Sequence, residues 1–251
     1  MIGYLHTAFL LIAIVLFLLQ SLIALVILQV IGFFPPEKKL QMVFRYVQFF
    51  FRLTWKLTGC PLTISGLENI PDDRAVLFVG NHRSYLDIVA VGCAVPHPIA
   101  FVAKDRMEKV PLIRLWMKQI HCLFLNREDI RQGLQVILAA IEEIKNGLSI
   151  FIFPEGTRNR GEDALLPFHA GSFKIALKPG APVVPVVING TEDLLEPHFP
   201  RFVPHPVSVT FLTPILTEGI DRQTAKDVPA RTEETIRTEY LRRRKEAGAH
   251  E

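Results

Sequence analysis

A histidine and an aspartate separated by four residues form the part of this 251-residue sequence that most suggests chemistry. They are His82 and Asp87, in the run NHRSYLD. Residues five apart on a regular helix are splayed by roughly 140°, so contact between these two side chains requires a turn. A histidine oriented by a carboxylate can act as a general base. The spacing therefore indicates a base held at a strand-to-helix turn.

The flanking sequence predicts such a turn. Residues 74–80 read as a buried strand closed by a glycine, and a helix can begin at Ile88. The alternative is a capping box, in which Ser84 is the N-cap and Asp87 reaches back from the third helical position. In that case His82 is only a polar loop residue.

Basic side chains follow three further predicted strands, namely Lys104, Arg127 and Arg158. In a parallel sheet the carboxyl ends of these strands meet at one rim, beside His82. Arginine offers a planar fork that suits a phosphate. A single cation of this kind is more often a solvated surface charge, but the repeated placement predicts an anion site next to the base.

The strand at residues 148–153 runs directly into the sequence PEGTR. Gly156 lets a backbone approach a substrate closely, while Glu155 and Thr157 add polar groups at the same strand end. The alternative is a structural ion pair between Glu155 and Arg158 that braces a turn. The two interpretations are compatible.

The N-terminal region carries no Asp, Glu, Lys or Arg before residue 37, and residues 8–34 are almost wholly apolar. That length exceeds the roughly 20 residues needed to cross a bilayer. Residues 37–58 mix cationic and aromatic side chains and place apolar ones near one helical face. This pattern predicts an interfacial amphipathic helix, with an ordinary docking helix as the alternative. Residues 1–58 are therefore predicted to anchor the chain. If the apolar helix spans the bilayer, the basic flank places the remainder in the cytoplasm, and two helices dipping into one leaflet would leave it on the same side.

Residues 59–251 alternate apolar β-rich runs with helical patterns. This alternation predicts an α/β fold with a mainly parallel central sheet flanked by helices, ending in a charged helix. The predicted strands are residues 62–65, 76–79, 99–102, 122–125, 148–153, 183–188 and 207–211, and the predicted helices are 86–94, 111–120, 130–145, 171–177 and 224–245. The net charge of +3 comes without a nucleic-acid motif, so nucleic acid is not an expected partner. The three cysteines lack metal-ligand spacing and are expected to be free thiols.

Taken together, the motifs resemble the glycerolipid acyltransferase family. Four blocks occur in the family's order: NHxxxxD at 81–87, FxxR at 124–127, FPEGTR at 153–158 and VPVVI at 184–188. The likeness covers residues 62–214 and is greatest to 1-acylglycerol-3-phosphate acyltransferases of bacterial membranes. His169 departs from the pattern, because many members carry lysine at that position.

The resemblance implies transfer of a fatty acyl group from an acyl-carrier-protein or coenzyme A thioester to lysophosphatidic acid, giving phosphatidic acid. His82 would be the base and Asp87 would orient it, without an acyl-enzyme, a metal or another cofactor. The implied substrate-binding residues are Lys104, Arg127, Glu155, Gly156, Thr157 and Arg158. The implied location is the bacterial inner membrane, with the catalytic domain on its cytoplasmic face.

Three other interpretations remain open from the sequence. The same chemistry could act on another lysolipid, such as a lyso-ornithine lipid. A metallohydrolase could use His82, Asp87 and Glu155, although a second histidine at ligand spacing is lacking. The chain could also be a lipid-binding membrane protein without catalytic activity.

Overall fold

The computed structural model describes residues 2–30, 35–161 and 164–248. In these residues the helices are α1 (Ile2–Val30), α2 (Pro36–Thr58), α3 (Leu86–Ala94), α4 (Pro111–Gln119), α5 (Ile130–Lys145), α6 (Lys174–Leu177) and α7 (Arg222–Gly248). The strands are β1 (Leu62–Ser65), β2 (Leu77–Gly80), β3 (Ile99–Lys104), β4 (Leu123–Leu125), β5 (Ser149–Ile152), β6 (Val183–Asn189) and β7 (Val207–Phe211). Every predicted strand is present with its ends within two residues of expectation. The helix predicted at 171–177 is instead a 3₁₀ turn, Ala170–Phe173, followed by α6.

The strands form one seven-stranded sheet in the order β1-β7-β6-β2-β5-β3-β4. From β6 to β4 all neighbours pair in parallel, whereas β7 is antiparallel to β6 and β1 is parallel to β7. The sequence-based prediction of a mainly parallel sheet flanked by helices is therefore confirmed.

Helices cover both faces of the sheet, which explains why its central strands are continuous apolar runs. All residues of β2, β5 and β6 are buried. Phe78 and Phe151 pack in a cluster with residues of α2, α3 and α4. The alternate residues Leu77 and Ile150 pack in a second cluster with α5, α6 and α7. Successive strand residues thus pack on opposite faces of the sheet.

The N-terminal helix α1 is long and apolar enough, over Gly3–Leu28, to cross a membrane, and most of its side chains are not buried in the protein. It nevertheless contacts the rest of the chain along its length. His6 Nε2 lies 2.9 Å from the Leu57 carbonyl near one end, and Trp116 Nε1 donates to Ser21 Oγ at 2.8 Å towards the other. The end of the predicted apolar segment, residues 31–34, lies outside the described residues.

The predicted amphipathic segment corresponds to α2. Its buried residues include Val43 and Phe44, and the helix packs against α3. Docking on the α/β domain therefore accounts for part of the apolar face. Contact with lipid by its cationic and aromatic side chains stays a prediction.

Candidate active site

The candidate site lies at the rim where four neighbouring parallel strands end. The strands β2, β5, β3 and β4 are adjacent in that order. The residues that end or follow them are His82 after β2, Glu155 after β5, Lys104 at the end of β3 and Arg127 after β4. The parallel strand order therefore places these four residues at one edge of the sheet, as expected.

The histidine and the aspartate are in direct contact. His82 Nδ1 lies 2.8 Å from Asp87 Oδ2, and the Asp87 side chain is fully buried. With Asp87 ionised and the imidazole neutral, Nδ1 carries the hydrogen, because a carboxylate only accepts hydrogen bonds, and Nε2 keeps its lone pair. The ring of Phe153 stacks on the imidazole with the ring centroids 4.1 Å apart. This geometry presents Nε2 as a base in a fixed orientation.

The Asp87 carboxylate is held by further donors. Its Oδ2 accepts from the main-chain N–H groups of Arg83 at 2.7 Å and Ser84 at 2.9 Å, and Thr191 Oγ1 donates to Oδ1. Ser84 Oγ in turn accepts from Leu86 N at 3.1 Å. The reach back from Asp87 to Ser84 N that a capping box requires is thus present together with the dyad, although the N-cap of α3 is Tyr85 rather than Ser84.

Glu155 braces the loop that carries the base. Its Oε1 accepts from His82 N at 2.7 Å and its Oε2 from Leu166 N at 2.8 Å. Burial raises the pKa of this carboxyl to about 7, although both hydrogen bonds act in the opposite direction. Both carboxylate oxygens are therefore occupied by main-chain donors. The prediction that Glu155 binds substrate stays a prediction.

Arg158 is paired with a residue that the sequence did not point to. Its Nη1 donates to Glu196 Oε1 at 3.1 Å, and its guanidinium carbon lies 3.5 Å from the centre of the Tyr85 ring. Glu196 also accepts from Ser84 Oγ and, at 2.8 Å, from Tyr85 N. The alternative of an ion pair between Glu155 and Arg158 is wrong for the described part of the chain, where the partner is Glu196.

Gly156 turns the chain between two basic side chains. It has φ +74°, and a methyl group on its Cα would come within 3.0 Å of the His169 ring and 3.6 Å of Arg127 Cζ. Lys104, Thr157 and Arg127 are exposed. In residues 2–30, 35–161 and 164–248, neither Lys104 nor Arg127 makes an ion pair. An anionic ligand can therefore contact either of these two cations without displacing a carboxylate from it.

The described residues contain no group of three or more His, Cys, Asp or Glu arranged to hold a metal ion. The three cysteines, Cys60, Cys93 and Cys122, are free and buried.

Two residues at the site had no signal in the sequence. Thr191 is 104 positions from Asp87, and Glu196 is 112 positions from Ser84. Both lie in the connection between β6 and β7, where neither spacing nor composition marks them. Their contacts depend on the neighbouring positions of β2 and β6 in the sheet.

Comparisons with known proteins agree with this architecture. A family model described as acyltransferase matches residues 61–189, more than half of the chain. The crystal structure of the 1-acyl-sn-glycerophosphate (LPA) acyltransferase PlsC from Thermotoga maritima is similar, with a TM-score of 0.83, 26% sequence identity and 96% coverage of both chains.

Curated relatives share shorter segments. A 1-acyl-sn-glycerol-3-phosphate acyltransferase from Borreliella burgdorferi is 35% identical over 137 residues, which cover 55% of this chain and 54% of the relative. A protein of the same name from Saccharomyces cerevisiae is 29% identical over 201 residues, which cover 79% of this chain and 65% of the relative. The chain thus spans between about half and just under two-thirds of the length of these relatives. Because the family model covers more than half of it, the chain belongs to the acyltransferase family.

Proposed function

We propose that this chain is an O-acyltransferase of phospholipid biosynthesis, which transfers a fatty acyl group from a thioester to the free hydroxyl of lysophosphatidic acid and gives phosphatidic acid. The observation that carries the proposal is the 2.8 Å contact between His82 and Asp87 at a rim that also bears basic side chains. The names of the relatives from Borreliella burgdorferi and Saccharomyces cerevisiae support this acceptor and this product.

The proposed reaction needs no nucleophile from the protein. An alcohol is a poor nucleophile at neutral pH, so Nε2 of His82 takes the hydroxyl proton as the acceptor oxygen attacks the thioester carbonyl. The tetrahedral intermediate then collapses, the carbon–sulfur bond breaks, and the imidazolium returns the proton to the leaving thiolate. Asp87 stays ionised and stabilises the transient imidazolium. The ester forms and a free thiol leaves, so atoms and charge balance.

Lys104 and Arg127 are proposed to hold the phosphate of the acceptor. Both are exposed at the rim, and Gly156 leaves room beside Arg127 for a close approach. Arg158 is proposed as a third contact, whose charge the phosphate would share with Glu196. Charge-assisted hydrogen bonds of this type orient a phosphate as well as bind it.

The membrane is proposed as the site of action, and α1 supports this. Extracting a long acyl chain into water costs about 0.8 kcal/mol per methylene, a cost that a domain docked on the leaflet largely avoids. Because α1 contacts the domain towards both of its ends, its exposed apolar side chains suit immersion in the leaflet on which the domain sits. We place that leaflet on the cytoplasmic side of the bacterial inner membrane, where an acyl-carrier-protein or coenzyme A thioester is the donor and no further cofactor is needed.

A direct assay tests the proposal. Full-length protein in lipid nanodiscs receives radiolabelled acyl-carrier-protein and coenzyme A thioesters with one of four acceptors: lysophosphatidic acid, lysophosphatidylethanolamine, a lyso-ornithine lipid or monoacylglycerol. The expected result is labelled phosphatidic acid, formed faster than any other product. Preference for another lysolipid would identify that lipid as the acceptor in place of lysophosphatidic acid. Absence of transfer from either donor would overturn the proposed acyltransferase activity.

A further inference from the structure

Thr191 contacts the dyad from the opposite side to the imidazole. Its hydroxyl donates to Asp87 Oδ1, and both side chains are fully buried. We propose that Thr191 is a positioning residue for the reaction, which acts by fixing the Asp87 carboxylate and through it the orientation of His82. The inference rests on the proposed acyl transfer and adds a residue to its machinery.

The distribution of donors over the carboxylate shows why this hydroxyl matters. Oδ2 accepts from the His82 ring and from the main-chain N–H groups of Arg83 and Ser84. Among the described residues, the hydrogen bond to Oδ1 comes from Thr191. A buried carboxylate oxygen without a donor is costly. Without the hydroxyl, Asp87 would relieve that cost by rotating or by binding a proton, and either change weakens its hold on the imidazole.

The fold places this hydroxyl by fixing two strand ends together. The side chain of Asn81 donates to the Ile188 carbonyl at 2.8 Å and accepts from Ile188 N at 2.8 Å, so the end of β2 is held to β6. Gly190 then turns the chain with φ +90°, and a methyl group there would lie 2.3 Å from the Pro206 carbonyl oxygen. Thr191 is the next residue. The segment from Ile188 to Thr191 is therefore held to the end of β2, which carries His82. The same segment supplies the hydroxyl that donates to Asp87.

The prediction concerns the hydroxyl rather than the bulk of the side chain. Thr191→Val keeps the shape and removes the donor, whereas Thr191→Ser keeps the donor. Thr232 offers a matched control, because it is also fully buried and its hydroxyl donates to the Val228 carbonyl within α7. Thr232→Val therefore makes the same chemical change away from the dyad.

The experiment measures acyl transfer by the full-length variants in nanodiscs as a function of pH. For Thr191→Val we expect kcat to fall about 10- to 100-fold with the acceptor KM unchanged, as for a misplaced catalytic group. The acidic limb of its pH profile should also move to higher pH, because the Asp87 carboxylate, with one donor fewer, takes up a proton more readily. Glu155 also faces the dyad through His82 N and is the same in every variant, so its titration contributes equally. Thr191→Ser should restore both kcat and the acidic limb of the pH profile, and Thr232→Val should change neither of them.

A readout independent of turnover is the low-field proton resonance of the His82 Nδ1–H, identified by its loss in His82→Ala. It should move in Thr191→Val and return in Thr191→Ser. An unchanged acidic limb and an unchanged resonance in Thr191→Val, or a Thr191→Ser variant as impaired as Thr191→Val, would overturn the positioning role. Absence of transfer by the wild-type chain would overturn the proposed function instead, and the resonance would then still decide whether Thr191 orients the pair.

Discussion

The dyad and the basic side chains of the same rim are held to very different degrees. Asp87 is fully buried, with donors on both of its oxygens, and His82 is fixed by that carboxylate, by Glu155 and by the Phe153 ring. Lys104 and Arg127 are exposed. In the proposed mechanism, one half of the site is thus built before substrate arrives, and the other half is completed by the ligand.

The difference follows from what each half must do. A general base loses efficiency when its orientation varies, so donors that fix it in the empty protein contribute directly to rate. A phosphate-binding cation must exchange water for ligand, and exposure keeps this desolvation cost low at Lys104, whereas burial already lowers the pKa of Arg127. Arg158 lies between these cases, because it is charged and at the rim but already paired with Glu196 and stacked on Tyr85.

The largest effect is expected at the preorganised half. His82→Ala should lower kcat by about 10³-fold or more, because the acceptor hydroxyl then loses its base. His121→Ala, the same exchange at an exposed histidine, is the matched control and should keep wild-type turnover. Turnover is measured in nanodiscs, with membrane binding and thermal unfolding checked for both variants. Near-normal turnover by folded His82→Ala would remove the dyad from the mechanism.

At the exposed half the effect should fall on binding. Arg127→Gln is expected to raise the KM for lysophosphatidic acid about 10-fold with kcat within about twofold, because one charge-assisted contact to phosphate is lost. Stability should not change, since the side chain makes no ion pair within the described residues. The KM for monoacylglycerol serves as the control. An equal rise for this acceptor without phosphate would show that Arg127 does not read the phosphate.

Arg158→Gln should affect both acceptor binding and protein stability. It is expected to raise the acceptor KM a few-fold and also to lower the free energy of unfolding by about 1–2 kcal/mol, because Glu196 loses its partly buried partner. Arg158→Lys keeps the charge but not the planar contact with Tyr85 and should restore only part of the stability. Chemical unfolding measures the effect on stability, and steady-state kinetics on the same preparations measure the effect on the acceptor KM. A stability equal to that of the wild type would assign Arg158 to the exposed half.

Glu155→Gln is distinguished from the other variants by a pH-dependent effect on stability. The pKa of Glu155 is about 7 in the folded chain against an ordinary value of 4.5, so folding favours its protonated form. The stability that this preference contributes to the fold is therefore fully present below about pH 4.5 and is lost as the pH rises to about 7. The unfolding free energy of the wild type minus that of the variant should fall by roughly 3 kcal/mol over this window. A difference that does not vary with pH would show that Glu155 is ionised throughout.

The sequence could predict what depends on local pattern. The seven strands, the turn that joins His82 to Asp87 and the convergence of Lys104 and Arg127 all follow from apolar periodicity and from the geometry of parallel strands. Thr191 and Glu196 could not be found this way, because their contacts arise only once β6 lies beside β2. The alternative that pairs Arg158 with Glu155 is wrong for the same reason, because its partner Glu196 comes from the connection between β6 and β7.

In the proposed mechanism the dyad activates the acceptor hydroxyl directly, without an acyl group on the protein. The most direct test incubates the wild-type enzyme with radiolabelled acyl thioester in the absence of acceptor, quenches it, and separates protein from lipid before and after lysophosphatidic acid is added. We predict no stoichiometric label on the protein before the acceptor is added, and label in phosphatidic acid afterwards. Label bound covalently to the protein that passes into product at a rate consistent with turnover would contradict the account.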